Sequence, residues 1–565
     1  MLADCPVVES DIPTALADSP FIYGQLISDK HVLRRIRDEV DFSFSRGLVE
    51  QHYCLENGRP GIAPEVLLRI SFLQYLANLS DREVIDACRC NLEFKFFLGL
   101  AVESAAPCDA STLSRVRTRW GEEAFKAFFE ETVKQARGKN LLGAKRVVDS
   151  SKTLMNAAVL RSSELLNRLC SKLLSALKAL RTEGDETLAD LESQATQLRE
   201  DTSWILSDDL KEKHYMQWGA HADGLLCYVL ALLKAIDAGE VVCGEAQARP
   251  LADVRRLSAL LAKHIGDVAL EEQLKAQAQE KDKGKAGTAP PMRKDKLVSD
   301  VDTDARQAAD HKRKVKAGYK THVSMDSQSE IVTSVVVTPM NCDDGPVLPK
   351  LIADELMRGL EVQEVAADKA YSDGPVREAL VNAKAQDGTE APITVYIPEP
   401  APKPSAEGKY ISSDFTFDAG AMSLICPGER AASSVKHKEE SHSFYFCREG
   451  CANCVLKVAC LSQKELAAGV KHGRTVSVNR YRPLHDAARA AHGSAGHKDA
   501  MNRRLAVEHK QAEMLNQRGL RNARFRCLSK VAVQGYLTAA ATNIRRMAVL
   551  SLQAEEKSKT VARPA

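Results

Sequence analysis

Three acids in this chain have neighbours suited to metal-dependent chemistry on phosphate. Asp149 ends the run RVVD, Asp368 ends EVAAD, and Glu508 lies within RRLAVEHKQAEML. Acids that end predicted strands sit on the rim of a sheet, where they converge even when far apart in sequence. Two divalent ions ~3.5–4 Å apart need a few shared carboxylates, and hard oxygen ligands select Mg²⁺ or Mn²⁺. Among 76 Asp and Glu residues, each acid alone reads equally well as a surface acid beside a turn. A second group with chemistry is Cys447-x3-Cys451-x2-Cys454-x5-Cys460, with Cys426 upstream. Clustered thiolates favour tetrahedral Zn²⁺, and C-x2-C is a common half-site, although the usual second half-site is missing. The alternative is reduced cysteines packing a small insertion, and Cys426 is an alternative ligand to one of the four.

The elements around these residues have to position them. The first 140 residues read as short helices. GRPGIAPEVLLRISFLQYLANLSDREV places Val66, Leu67, Ile70, Leu73 and Leu76 at helical spacing behind Pro64. Ser80 and Glu83 form a capping box, and Ser111 or Thr112 is the expected cap of the next helix. KRVVDSSKT is a short strand. Long helices follow, with Leu166, Leu169, Leu173, Leu177 and Leu180 in one stripe, and read as an antiparallel hairpin. Lys275–Lys296 has almost nothing to bury and reads as a linker. From Gly318 the period becomes two: YKTHVSMDSQ, IVTSVVVTPMN and VQEVAADKAY are predicted strands, with DSQSE as a hairpin. From Met501 the chain is helical to about Leu552, followed by a polar tail.

These motifs resemble those of the DDE transposases of bacterial insertion sequences, which have a ribonuclease H-like catalytic core. VVDSSKT resembles the strand of the first catalytic Asp, AADKAYSD the motif of the second, and RRLAVEHKQAEMLNQRGLRNARFR the helix with the catalytic Glu. GRPGIAPEVLLRISFLQYLANLSDREV, FFLGL and CDASTLSRVR resemble the helical amino-terminal domain. The fold so implied is α/β, a mixed-sheet core interrupted by a helical insertion and a Cys-rich insertion, behind an all-α amino-terminal domain. Its expected division is 1–140 amino-terminal DNA-binding domain, 141–155 first core strand, and 156–300 helical insertion and linker. Core resumes over 301–400, the Cys-rich insertion takes 401–500, core helices fill 501–552, and 553–565 is a tail. Asp149, Asp368 and Glu508 are then the expected metal-binding triad for DNA cleavage and strand transfer. Arg504, one turn before Glu508, shares its face and holds a phosphate or orients the carboxylate. The chain departs from the family pattern at Met501 and Leu515, where many relatives carry Tyr and Lys. Asp302 and Asp304, in DTDAR, read as a turn that positions the next segment.

The expected partner is double-stranded DNA, transposon ends and target, held by a homodimer. The formal net charge is only +2, but positive charge gathers locally. Met501–Lys530 holds eight Lys/Arg against two acids, and His311–Lys320 holds five and none. Lys312, Arg313 and Lys314 from one cluster, and Arg518, Arg521, Arg524 and Arg526 from the other, are candidate phosphate contacts. Arg115, Arg117 and Arg119 are candidates for base reading in a helix-turn-helix. The composition, 44% hydrophobic and 27% charged, excludes a wholly disordered, collagen-like or membrane class. With no secretory signal at the start and 15 cysteines spread over 565 residues, a bacterial cytoplasmic, nucleoid-associated location is expected. The competing readings are a transposon-derived DNA-binding protein without catalysis, and an unrelated metal-dependent nuclease.

Overall fold

A computed structural model of the chain describes residues 18–54, 61–180, 186–201, 208–281, 295–309, 314–402, 404–405 and 408–561. At its centre β-branched and small apolar residues build a mixed sheet of β1 (Lys145–Leu154), β2 (Arg306–Ala309), β3 (Val315–Asp326), β4 (Val332–Pro339), β5 (Glu364–Ala367) and β6 (Thr394–Tyr396). The order is β2-β3-β1-β5-β6, with β4 also on β3. Strand β1 runs antiparallel to β3 and parallel to β5, and β5 runs parallel to β6. The expected strands and hairpin around 318–368 therefore form. The first strand does not stop at Asp149 as its β-branched run suggested. It continues to Leu154 because β3 offers a partner at every position, from Arg146 opposite Asp326 to Leu154 opposite Gly318. Gly318, with φ of 149°, permits this approach, since a Cβ there would lie 2.2 Å from the Thr153 carbonyl oxygen.

Each face of the sheet is covered. Val148, Val365, Ala367 and Tyr371 pack with Leu348, Leu351 and Ile352 of the helix Leu348–Met357. Val147 and Ala366 face the other way, into a larger core shared with the last two long helices, Ala495–Gln517 and Leu528–Val561, and with the amino-terminal helices. The last helix therefore continues through most of the expected polar tail. Its Tyr536 stacks on Phe129 at 6.2 Å. Its buried Asn543 donates to the Val332 carbonyl and accepts from the Val332 N–H, both at 2.8 Å, supplying the edge of β4 with a substitute for a further strand.

The capping box at Ser80 and Glu83 is present. The next helix, Ala110–Gly138, is capped instead by Asp109, whose carboxylate accepts from the Thr112 N–H at 3.0 Å. That helix breaks at Gly121, which has φ of 73°. The long insertion is larger than the expected hairpin. Helices Ser162–Leu180, Glu186–Glu200, Asp208–Asp237 and Ala248–Lys281 enclose a separate leucine-rich core. Among the described residues, one stretch, Glu212–Asp237, is long and apolar enough to cross a membrane by length and composition. Its Trp218, Ala222, Leu225, Val229 and Leu232 line the core of this bundle. The base of the insertion is closed where the Leu160 N–H donates to the Val298 carbonyl at 3.1 Å.

Candidate active site

Asp149 lies midway along β1, and Asp368 directly follows β5, one residue beyond the Val148–Ala367 pairing. Alternation puts both on the side of Val147, toward the helix Ala495–Gln517. Arg503 of that helix forms an ion pair with Glu364 of β5, which fixes the helix across the strand ends. Arg504 then places Nη1 3.9 Å from Asp149 Oδ2 and Nη2 2.7 Å from Glu508 Oε1. The three expected acids and Arg504 thus occupy one rim of the sheet. Met501 and Leu515, the departures from the family pattern, pack against the large core.

The electrostatics of the rim are those of negative charge held partly out of water. Burial pushes the Asp149 carboxyl up to about 6, Asp368 adds repulsion, and the Ser150 N–H and Arg504 draw it down. Asp368 is also raised, by burial first and then by the Asp344 carboxylate, against the pull of Arg504 and Lys320. Acids that repel one another across adjacent strands fit a divalent cation in donor type and in placement. Among the described residues no three such side chains already form a closed metal cage. The half-exposed Glu508 instead points its carboxylate at Arg504.

Behind this rim stands a polar cluster that sequence spacing did not single out. The Lys320 ammonium donates to Asp344 Oδ1 and to the Cys342 carbonyl, both at 2.7 Å, and Ser150 Oγ donates to Asp344 Oδ2 at 3.3 Å. Buried His322 meets Tyr371 Oη at 3.3 Å and Thr338 Oγ1 at 3.0 Å, and burial lowers it to about 4, so it is neutral at ordinary pH. Tyr371 ends the single 3₁₀ turn capped by Asp368, whose Oδ1 accepts from the Ala370 N–H at 2.9 Å. The pairing of Ser150 with His322 across β1 and β3 was the available signal, because polar residues facing each other in a buried strand need partners.

The candidate DNA contacts divide into two groups. Arg518 is buried and donates to the Leu76 carbonyl and to Glu513. Arg524 donates to Leu79 O and Asn78 Oδ1 and covers the ring of Tyr75. Arg117 pairs with Asp81 and lies over Phe525. These three arginines fasten the amino-terminal helices to the segment between the last two helices. Asp302 and Asp304 secure the same segment, accepting from the N–H groups of Cys527 and Leu528 at 3.1 and 2.8 Å, as expected of a positioning turn. Arg115, Arg119, Lys314, Arg521 and Arg526 are exposed. Arg521 bonds Asn516 and Arg526 bonds the Asn156 carbonyl, and the Arg521 carbonyl accepts from the N–H of Leu154 at the end of β1 at 2.9 Å. Lys312 and Arg313 lie outside the described residues.

Cys447, Cys451, Cys454 and Cys460 fall within a small module built from β7 (Thr416–Asp418), β8 (Ser423–Ile425), β9 (Ser434–His437), β10 (Ser441–Tyr445) and β11 (Thr475–Asn479). Together with Cys426 they line one cavity of about 430 Å³.

Comparison with known proteins bears on this architecture directly. Residues 21–119 match a family described as a transposase domain, and residues 282–404 and 425–548 each match a transposase DDE domain. The second stretch contains Asp344 and Asp368, the third contains Glu508, and Asp149 lies on β1 between the first and second. An uncharacterized protein from Rhizobium meliloti, ORF8 in the nfe locus, is 31% identical over 80 residues, 14% of this chain. The chain spans 39% of that relative's length. No solved structure matches. With its amino-terminal transposase domain and two DDE-domain stretches in order, the chain belongs to the DDE transposases of insertion sequences.

Proposed function

We propose that this protein cleaves the ends of an insertion sequence and joins them to target DNA, with a ribonuclease H-like core as the catalytic unit. The observation that carries the reading is the pairing of Asp149 and Asp368 on adjacent parallel strands, beneath the helix that holds Glu508. The strand order, with antiparallel pairing of β3 to β1, β2 and β4 next to two parallel pairs, supports the assignment of the core. Asp149, Asp368 and Glu508 would hold Mg²⁺ or Mn²⁺. When bound, the metal supplies the charge that activates water or a DNA 3′-hydroxyl and stabilises the leaving oxygen.

The remaining steps belong to this chain's own side chains. Arg504 balances Asp149 and orients Glu508, and its guanidinium can receive a phosphate oxygen once Glu508 turns to its ligand position. Tyr371, bonded to His322 of β3, holds the turn of Asp368 against the sheet that carries Asp149. Arg521 and Arg526 neutralise phosphates on the rim, while the exposed Arg115 and Arg119 face a duplex from the amino-terminal helices. Two DNA ends require two catalytic units, hence a homodimer.

A supercoiled plasmid carrying the element's ends, incubated with the protein and Mg²⁺, tests this reading. Excision or strand transfer at those ends is expected. Binding without cutting would favour a protein acting by occupancy, and cutting indifferent to end sequence would favour a general nuclease.

A further inference from the structure

Only six buried apolar side chains, among them Phe415, Phe444 and Val476, form the core of the cysteine module. So few cannot hold a unit of this size by burial alone, and small modules of this kind add metals or disulfides. The described cysteines are all free thiols. Four of them approach one another from the turn after β8, the short helices Arg448–Ala452 and Lys457–Cys460, and the turn between those helices. Cys426 opens the turn Cys426-Pro-Gly-Glu, in which the Glu429 N–H donates back to its carbonyl at 2.8 Å and Glu429 takes φ of 57°. Gly428 of that turn sits against two sulfurs, since a Cβ there would lie 3.3 Å from Cys454 Sγ and 3.7 Å from Cys426 Sγ. The Arg474 and Leu456 N–H groups donate to Cys451 Sγ and Cys454 Sγ, each at 3.4 Å. Cys460 closes the group, and its thiol feels the charges of Cys451, Cys426 and Cys454. Cys447 differs: it is exposed and caps the short helix Arg448–Ala452, whereas the other four are half-buried.

We propose that Cys426, Cys451, Cys454 and Cys460 form a structural zinc site and that Cys447 stands outside it. Four thiolates, with cysteine as the shared donor type, select tetrahedral Zn²⁺ and leave no open position for water or phosphate. Among the described residues the thiols do not yet form a closed cage. Inward rotation of their side chains into the cavity completes it, with loss of their protons to solvent. The site has a mechanical consequence. Beyond β11 the chain docks on the segment after Asp368: the Tyr481 ring fills the space a Cβ at Gly374 would need, and Arg480 pairs with Glu378. His485 Nδ1 meets Glu399 Oε2 at 2.9 Å. Zinc would hold the module that leans on this segment.

The test uses the full chain, purified reduced and without chelators, with elemental analysis and a Co²⁺ titration of the metal-depleted protein. About one zinc per chain, or cobalt uptake with thiolate-to-cobalt charge-transfer absorption, is expected. Cys447→Ser should keep the metal, while Cys426→Ser and Cys454→Ser should lose it and become sensitive to proteolysis between 409 and 480. Should the latter two fail to accumulate, the wild-type protein and Cys447→Ser decide. Absence of both zinc and cobalt uptake in the wild-type protein overturns the site. Loss of the metal in Cys447→Ser, or its retention in Cys426→Ser, overturns the ligand assignment.

Discussion

The hydroxyl of Tyr371 meets Nδ1 of His322 at 3.3 Å, so the turn that follows one acid of the rim is tied to β3, which pairs with the strand that carries the other. Spacing between Asp149 and Asp368 therefore depends on a bond that neither carboxylate makes. Tyr371→Phe keeps the ring in its buried position and removes only this link. Its folding stability should drop by about 1 kcal/mol, a typical net value for a buried hydrogen bond. Cleavage should fall roughly tenfold at low Mg²⁺ and recover at high Mg²⁺, as expected if the cost of about 1.4 kcal/mol falls on metal binding. Mg²⁺ titration of cleavage checks this, and an unchanged half-saturation point would count against it.

Replacing the rim acids should separate catalysis from stability. Asp149→Asn, Asp368→Asn and Glu508→Gln are each expected to abolish cleavage with DNA binding largely intact. Asp149 has its folded value raised to about 6, so its contribution to stability is present below about pH 4 and lost as pH rises through 6. Without metal, Asp149→Asn should therefore be more stable than wild type at pH 8, by about 1–3 kcal/mol. At pH 4 the two should match. Chemical denaturation at both pH values measures the difference, and destabilisation at pH 8 would contradict the placement of this carboxyl.

Protons and metal should compete for the same oxygens. Mg²⁺ at about a hundred times its dissociation constant should stabilise the folded chain by about 2.7 kcal/mol at pH 8. That gain should shrink as pH falls through 6, where Asp149 takes up its proton. Thermal unfolding with and without Mg²⁺ across this range reads the effect. A gain of equal size at pH 5 would place the ion elsewhere.

The arginines near the last helix should fall into two classes. Arg524→Glu breaks bonds to Leu79 O and Asn78, and should lower stability by about 2 kcal/mol or more. Arg521→Glu breaks one exposed bond to Asn516, and should leave the melting temperature nearly unchanged while weakening DNA binding and flattening its salt dependence. Unfolding curves beside binding isotherms at several salt concentrations distinguish them. Equal loss of stability in both variants would remove Arg521 from the DNA surface.

Sequence periodicity reported the strands around 318–368 and the helix of Glu508 because alternation and helical spacing are local properties. Asp149 and Asp368 stood out for the same reason, as acids after predicted strand runs, and Glu508 as an acid within a predicted helix, although β1 continues past Asp149. What spacing does not report is the partner. Arg117, Arg518 and Arg524 belong to basic stretches that look like DNA contacts, yet Asp81, Glu513 and backbone carbonyls hold them. Asp344 and Tyr371 gained their places only from a cluster assembled across β1, β3 and the turn after β5. Cys426 lies more than twenty residues from Cys451, and only the folded loops bring their thiols to one cavity.

The Leu160–Val298 hydrogen bond makes the helical bundle a cassette. Its entrance and exit already meet, and its leucine core is separate from the core around the sheet. Joining two ends held this close costs little loop entropy, whatever length of chain lies between them. The sheet and the bundle thus fold around separate cores, and a short turn between Leu160 and Val298 should leave the sheet in place. Lineages can therefore exchange or resize the bundle while β1 remains in register with β3.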